Sequence, residues 1–549
     1  MDLPMAMVTG HPVASRRSEP SLPAASAPPF RQMWHRWLGR QVLPPVVGAI
    51  GAVTFPAHAQ EQSSATRAGF FLQPSVSVSE TYTNNVRLDR GSDARSDLIT
   101  DISPALRLSS RSGRIIGDVD YALHGLLYAR QSSADEVQQS LSARGTAEAI
   151  ENWAYVDASA SIGQQSISAL GRRSSDNSLA NSNRAEVSSY QISPYVKGRL
   201  GSLANYVARW NWTASNSGGS SAKSNANEAS LGINSSAETF SRLGWSLNAS
   251  QQTSDFGNQP SQESSRFNGG LNFAVTPEFR VSAGGGTERN DYQTLNQKSY
   301  TTWSAGFTWV PSERTRLEVT REHRFFGAAY NIRLEYRTPR TVWTFTDGQD
   351  VSTNSSANGT NGSLSVFDLL YAQFASIVPD PTQRAALVDA FLRNNGLTRN
   401  TLATGGFLTN APSIQRRQNF SAAFLGVRTT VLLSTSRNDA RAANPTNVSA
   451  GDLSNGRNLH STAFGINLSH RLTPLSALSA DVSVSKNSST VDNRSTNLRS
   501  LVTTYTRQLG KQVDLSLSAR RTLFRSDTDP YNESALTASL RLQIGRADV

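Results

Sequence analysis

The chain has 549 residues, a formal net charge of +11, only 17% charged residues and no cysteine. The lack of cysteine excludes a disulfide-stapled scaffold and thiol chemistry. A mean hydropathy of −0.40 would ordinarily indicate a soluble protein, but it does not exclude a transmembrane barrel, whose residues face lipid and water alternately.

Residues 1–59 read as a leader. Arg31, Arg36 and Arg40 precede an apolar segment from Val42 to Phe55, and Ala57-His58-Ala59 precedes Gln60. This is the basic, apolar, small-x-small succession of a secretory signal peptide cleaved after Ala59. A membrane anchor is the competing reading, but the apolar segment is short of the roughly 20 residues that a span needs, and Pro44-Pro45 interrupts it. Residues 1–30 are long and polar for a leader, so Met33 is an alternative start. Removing 1–59 leaves 48 basic and 40 acidic residues, and only five residues of the whole chain are Lys. Arg forks grip carboxylate and phosphate, which suits an anionic polymer or lipid headgroups; a coding bias toward Arg gives the same composition. Neither a concentrated basic stripe nor a binding motif points to nucleic acid.

From about Phe71 onward the sequence alternates with period two. Ile115, Gly117, Val119, Tyr121, Leu123, Gly125 and Leu127 oppose Asp118, Asp120 and His124. Tyr206, Ala208, Trp210 and Trp212 oppose Asn205, Arg209 and Asn211, and Leu536, Ala538, Leu540, Leu542 and Ile544 close the series. Such rows put one face against an apolar phase and the other against a polar one. Connections alternate too. Short turns are expected at Ser110–Gly113, Gly201–Leu203, Thr276–Glu278, Pro311-Ser312, Thr338–Arg340, Thr473-Pro474 and Gly510-Lys511. Longer Ser-, Asn- and Gly-rich loops are expected at Thr83–Asp97, Ser168–Glu186, Ser215–Asn225, Thr253–Ser265, Asn438–Arg457 and Asn487–Thr496, with Phe326–Ala328 a short exception. The predicted fold is all-β: a transmembrane antiparallel up-and-down β-barrel over 60–549 with about 22 strands, within 18–24, and both termini periplasmic.

One connection departs from this pattern. Between Gly348 and Pro412 the spacing of Phe367, Leu369, Leu370, Phe374 and Ile377 predicts a short helix. Asp380-Pro381-Thr382-Gln383 has the N-cap, first-turn proline and capping-box pattern of a second, with Ala385, Leu387, Val388, Phe391 and Leu392 as its apolar face. Strand parity makes this 348–412 insert extracellular. It is either an ordered surface loop or a gate folded into the pore, because a barrel of about 22 strands leaves a wide lumen unless plugged. The candidate gate residues are Phe367, Leu370, Phe374, Asp380, Pro381, Leu387 and Phe391.

No H-E-x-x-H, G-x-S-x-G or phosphate-cradling loop occurs, and His124, His323 and His470 lack metal-ligand spacing. The reading is therefore no enzyme, no cofactor and no metal. The alternative, a hydrolase assembled from separate strands, would require a Ser/His/acid cluster. Tyr190, Tyr195, Trp210, Trp245, Trp303 and Trp343 read as interfacial girdles, although carbohydrate stacking uses the same residue types. Arg333 and Arg337 fall opposite Ile332, Leu334 and Tyr336, toward the lumen. There they either favour anions or join a network with Glu318, Glu322 and Glu335.

The run Trp309-Val310-Pro311-Ser312-Glu313-Arg314-Thr315 into His323-Arg324-Phe325-Phe326-Gly327 resembles the exosortase (PEP-CTERM)-associated outer-membrane β-barrel family. So do Tyr82-Thr83-Asn84-Asn85-Val86, Val156-Asp157-Ala158-Ser159-Ala160 and the insert segments Asp380-Pro381, Gly396-Leu397 and Gly406-Phe407-Leu408. The resemblance spans most of the chain after the leader. It implies a Gram-negative outer-membrane barrel associated with extracellular polysaccharide export or assembly, as conduit or accessory factor. Outer-membrane lipid, lipopolysaccharide, an anionic polysaccharide and other export components would be its partners. A barrel that organises surface polymer without transport is the alternative, and no site residues carry over. The chain departs from the usual aromatic ending: Gly545-Arg546-Ala547-Asp548-Val549 follows Ile544.

Overall fold

The computed structural model describes residues 69–549, apart from 112, 219–222, 258–259, 294–295, 445–450, 546, 549 and most of 354–411. Within that last stretch Phe367, Tyr371, Phe374, Arg384, Val388, Leu408 and Thr409 are described. The expected leader, 1–59, lies outside the described residues.

Strands β1 to β6 are Phe70–Thr83, Asp97–Arg111, Ile115–Tyr128, Glu136–Ile150, Ala154–Ser166 and Arg184–Leu200. Strands β7 to β12 are Ala204–Ser217, Lys223–Ser235, Leu243–Phe256, Gln262–Ala274, Phe279–Asn290 and Lys298–Ser312. Strands β13 to β17 are Thr315–Arg324, Gly327–Arg337, Thr341–Ser352, Ser413–Leu425 and Thr429–Ala442. Strands β18 to β22 are Asn458–Thr473, Ser476–Ser489, Ser495–Gln508, Val513–Ser526 and Tyr531–Gln543. Each pairs antiparallel with its sequence neighbours, and β1 pairs with β22 from Ser75↔Gln543 to Thr83↔Ala535, closing a 22-strand barrel. A two-residue β23, Ala547–Asp548, extends the seam against Phe71 and Leu72.

Side-chain rows run unbroken across the seam. Ile102, Val78 and Leu540 share a rung, as do Leu98, Tyr82 and Leu536, and all six are exposed. Similar apolar rows on the other strands make up the lipid-facing surface of a transmembrane barrel. The opposite row faces the lumen and is polar: Thr81 hydrogen-bonds Thr537 at 2.9 Å and Thr83 donates to Glu533 at 3.0 Å. A concavity of about 1030 Å³ lies on the lipid side, among Ala208, Trp210, Leu231, Ala249 and Phe267.

Turn parity holds, with strands longer than expected. β7 and β8 leave only 218–222 between them, and β9 and β10 only 257–261. Polar residues continue the ladder there because beyond the hydrocarbon both faces meet water, so alternation stops marking the strand. Pro311 and Ser312 do not form a turn; they end β12, and the pairing with β13 shifts between Trp309 and Ser312. Proline has no N–H for the ladder, and the turn falls at 313–314.

At two other strand prolines the ladder is interrupted. β2 loses its rungs to β3 between Ile102↔Gly125 and Ala105↔Ala122, at Pro104. β6 loses its rungs to β7 between Ile192↔Trp212 and Tyr195↔Arg209, at Pro194. In each case the preceding buried serine makes a side-chain hydrogen bond: Ser103 to Asp101 at 2.5 Å and Ser193 to Asn211 at 2.6 Å.

Glycine is needed where the wall is crowded. A Cβ on Gly286, in the Gly284-Gly285-Gly286 run of β11, would lie 1.9 Å from the Phe267 carbonyl oxygen of β10. That is the close backbone approach expected of a glycine inside a strand. The tight β13–β14 link works through Gly327 at φ +104°, a conformation that side-chain-bearing residues rarely adopt.

Candidate functional site

The lumen holds the polar chemistry. On the long-loop rim, 167–183 between β5 and β6 reaches strands far from its own. Ser168 Oγ and the Ala169 N–H donate to the Asp452 carboxylate, both at 2.6 Å. The Ala169 carbonyl accepts from Asn487 on β19 at 2.8 Å and from Thr496 on β20 at 3.2 Å. Arg173, buried, donates to Ser485 at 2.9 Å, and its carbonyl accepts from the Tyr531 hydroxyl. Asp176 pairs with Arg520 of β21, whose guanidinium also grips Glu533 at 2.9 and 3.2 Å.

An apolar cluster seals these ties. Val86 and Leu88 of loop 84–96 and Leu179 of loop 167–183 pack with Ile99, Leu126 and Tyr128 on one side. Leu498, Phe524 and Tyr531 close it on the other. Burial depresses the Arg173 guanidinium pKa. At Asp176 burial opposes ionisation, but Arg520 and the hydrogen bonds from Ser178 win and hold the carboxyl below its ordinary value. Asp452 goes the other way: burial raises it despite the bonds from Ser168 and Ala169.

The insert contributes a second obstruction. Phe367, Tyr371, Arg384 and Val388 are α-helical and Phe374 lies in a 3-10 turn. Phe367, Phe374 and Val388 are buried together against Leu425 and Leu432, at the short-turn ends of β16 and β17. The insert enters from the long-loop rim, so these residues have descended through the lumen. Arg144 of β4 lies 4.3 Å from the Phe367 ring centroid. β4 is twelve strands from β16 one way round and ten the other, so the insert spans opposite walls. Leu370, Asp380, Pro381, Leu387 and Phe391 lie outside the described residues.

Arg333 and Arg337 lie on the lumen row as the alternation implied. Arg337 pairs with Glu335, and Arg333 stands opposite Glu318, itself bonded to Arg316 at 2.5 Å. Acids thus interleave with these arginines, and Arg333 and Arg337 are not brought to the insert residues by any described contact. A denser group lies on β10–β15, where Arg324 grips Glu288 at 2.7 and 3.0 Å and pairs with Asp350, and Arg266 bonds Glu322 at 2.7 Å. Beside it is a polar pocket of about 320 Å³ lined by Ser246, Asn248, Asn268, Thr302 and Ser304. The Asn268 amide, turned with its oxygen toward Arg266, accepts from Arg266 Nε at 2.7 Å and donates to Thr302 at 3.0 Å.

A Ser/His/acid group does occur, at Ser103, His124 and Asp101. Ser103 Oγ and Asp101 Oδ2 both meet His124 Nδ1, at 2.9 and 3.1 Å. A nucleophile–base–acid relay needs the two ring nitrogens to serve different partners; here one nitrogen serves both, which is a structural hydrogen-bond cluster. Among the described residues no group of His, Asp and Glu has the arrangement of a metal site.

The 22-strand closure and polar lumen settle the class. The chain is an outer-membrane-type β-barrel. No family model and no curated protein matches it. Several solved structures align with it over most of their length. The FrpB iron transporter from Neisseria meningitidis (F5-1 variant) aligns with a TM-score of 0.46 and 10% identity, over 86% of this chain and 81% of that one. The siderophore receptor PirA from Acinetobacter baumannii gives 0.42 and 8%, over 86% and 80%. A mutant of the ferric enterobactin receptor PfeA from Pseudomonas aeruginosa gives 0.42 and 11%, over 88% and 81%. These likenesses describe the barrel fold alone.

Proposed function

We propose that this barrel serves the export or assembly of an extracellular polysaccharide, as conduit or accessory factor, with the insert as its gate. The observation that carries the reading is the β9–β13 lumen wall. Hydroxyls and amides of Ser246, Asn248, Asn268, Thr302 and Ser304 surround a neutralised Arg266–Glu322 pair. Such a surface offers donors and acceptors to sugar hydroxyls without a strong field of either sign. The resemblance to the exosortase-associated barrels supports the same substrate class.

Planar-bilayer recording tests the conduit. Deleting 361–411 should convert a closed barrel into a conducting one, and Asn248→Leu with Asn268→Leu should weaken block by an added neutral oligosaccharide. No conductance after the deletion overturns the conduit. A second reading, a barrel that organises surface polymer without transport, is favoured by one observation: the ties of loop 167–183 to Asp452 and Arg520 across the mouth are made without insert residues. It would show as oligosaccharide binding with no conductance in either form.

A further inference from the structure

The outer face carries a basic cluster that lumen chemistry does not use. Lys486 on β19, Arg499 on β20, and Arg521 and Arg525 on β21 are exposed. Their faces follow from register. Val484, two residues from Lys486, pairs with Arg499; Arg499 pairs with Leu523; and Leu523 lies between Arg521 and Arg525. The lipid-facing Leu501 pairs with Arg521 and with Val482, fixing this row on the outside. The neighbours on the opposite row, Leu498, Phe524 and Glu533, are buried in the lumen.

Diagonal neighbours on antiparallel strands are about 7–8 Å apart, so the four cations form one patch. They sit toward the long-loop rim, beyond exposed Leu478, Leu517 and Leu540 nearer the short turns. Among the described residues Lys486, Arg499 and Arg525 make no ion pair or side-chain hydrogen bond, and Arg521 donates only to Ser534 at 2.5 Å. Two other outer-face arginines are paired with acids: Arg437 with Asp439 at 3.1 Å and Arg416 with Asp347 at 2.9 Å.

We propose that Lys486, Arg499, Arg521 and Arg525 bind the phosphates of a phosphorylated glycolipid in the external leaflet. The apolar rows below them would take its acyl chains. Charged side chains near the interface cost little, whereas phosphate accepts charge-assisted, bidentate bonds from Arg. The patch spans three adjacent strands, a width that suits a headgroup bearing two separated phosphates. This reading is independent of what passes through the lumen.

The test uses the full-length barrel in detergent, with bis-phosphorylated lipid A, monophosphoryl lipid A and phosphatidylglycerol as probes, read by native mass spectrometry and thermal shift. The wild type should bind the bis-phosphorylated form best. The variant K486Q/R499Q/R521Q/R525Q should lose about tenfold or more of that affinity, the order expected for charge-assisted contacts, with phosphatidylglycerol binding unchanged. Heat-modifiable gel migration reports whether it is folded. If it is not, the pairs R499Q/R525Q and K486Q/R521Q replace it, each expected to lose part of the affinity. Equal binding of all three lipids by the wild type, or undiminished lipid A binding by the folded variants, overturns the proposal.

Discussion

Asp176→Asn isolates the tie between loop 167–183 and the far wall. The amide oxygen can still accept the Ser178 N–H, now at 2.8 Å, so loop geometry is retained and only the charge is removed. Arg520 keeps its two bonds to Glu533. The change therefore avoids orphaning a buried cation, which would cost about 3–5 kcal/mol. What is lost is one charge-assisted contact, about 1.5–3 kcal/mol, and Asp176 is 22% exposed, which places the loss near the lower end. Loop opening should rise by roughly 10–30-fold, since 1.4 kcal/mol is tenfold. Hydrogen exchange of peptides covering 168–183 should quicken by that factor, with β20–β22 unaffected. Arg520→Ala is the contrast: it strands Glu533, 0% exposed, and should lower the barrel's thermal midpoint as well. Loop exchange within about threefold of wild type in the Asn variant would refute the tie.

Phe367→Ala removes a buried ring and its contact with Arg144; insert packing should weaken by about 3–5 kcal/mol, seen as faster proteolysis within 354–411 with the barrel intact. Gly286→Ala forces a Cβ into the Phe267 carbonyl and should block assembly, whereas Gly163→Ala meets nothing within 4 Å and should assemble normally; heat-modifiable migration separates them. The two carboxylates that hold loop 167–183 should respond oppositely to pH. Asp176, depressed, stabilises above the ordinary carboxylate pKa and loses this as pH falls through its folded value. Asp452, raised, contributes most below the ordinary value and loses this as pH rises to its folded one. Exchange at 174–178 should therefore quicken on acidification, and exchange at 168–171 on moving up from acid.

Alternation and turn parity made the barrel and its strand number legible, because each strand's two solvents are written into consecutive residues. Parity also placed the insert on the long-loop side, and the spacing of Phe367, Phe374 and Val388 marked its helical character. Its depth in the lumen was not legible: Arg144, Leu425 and Leu432 carry no local mark of what they touch. The same holds for Asp176 and Arg520, 344 residues apart. Pro104 and Pro194 have no N–H for the ladder, and the side-chain bonds of the serines before them are visible only in the structure. The outer basic patch needed register, since Lys486, Arg499 and Arg525 are scattered until three strands align them. Arg333 and Arg337 were visible as lumen residues, but the acids interleaved with them set what they can attract.

The mouth ties have a consequence for how the molecule is made. Loop 167–183 follows β5, yet Arg173 and Asp176 fasten to Tyr531 and Arg520, 358 and 344 residues later in the chain. Contacts of such long span form only after the intervening chain has been ordered. The loop therefore cannot lock until β21 and β22 are in place, and β22, the last long strand to be synthesised, is also the one that pairs with β1. A half-built wall has an untethered flap; a finished one latches it. Exchange protection of this single loop would then report, in a growing barrel, the moment the circle is complete.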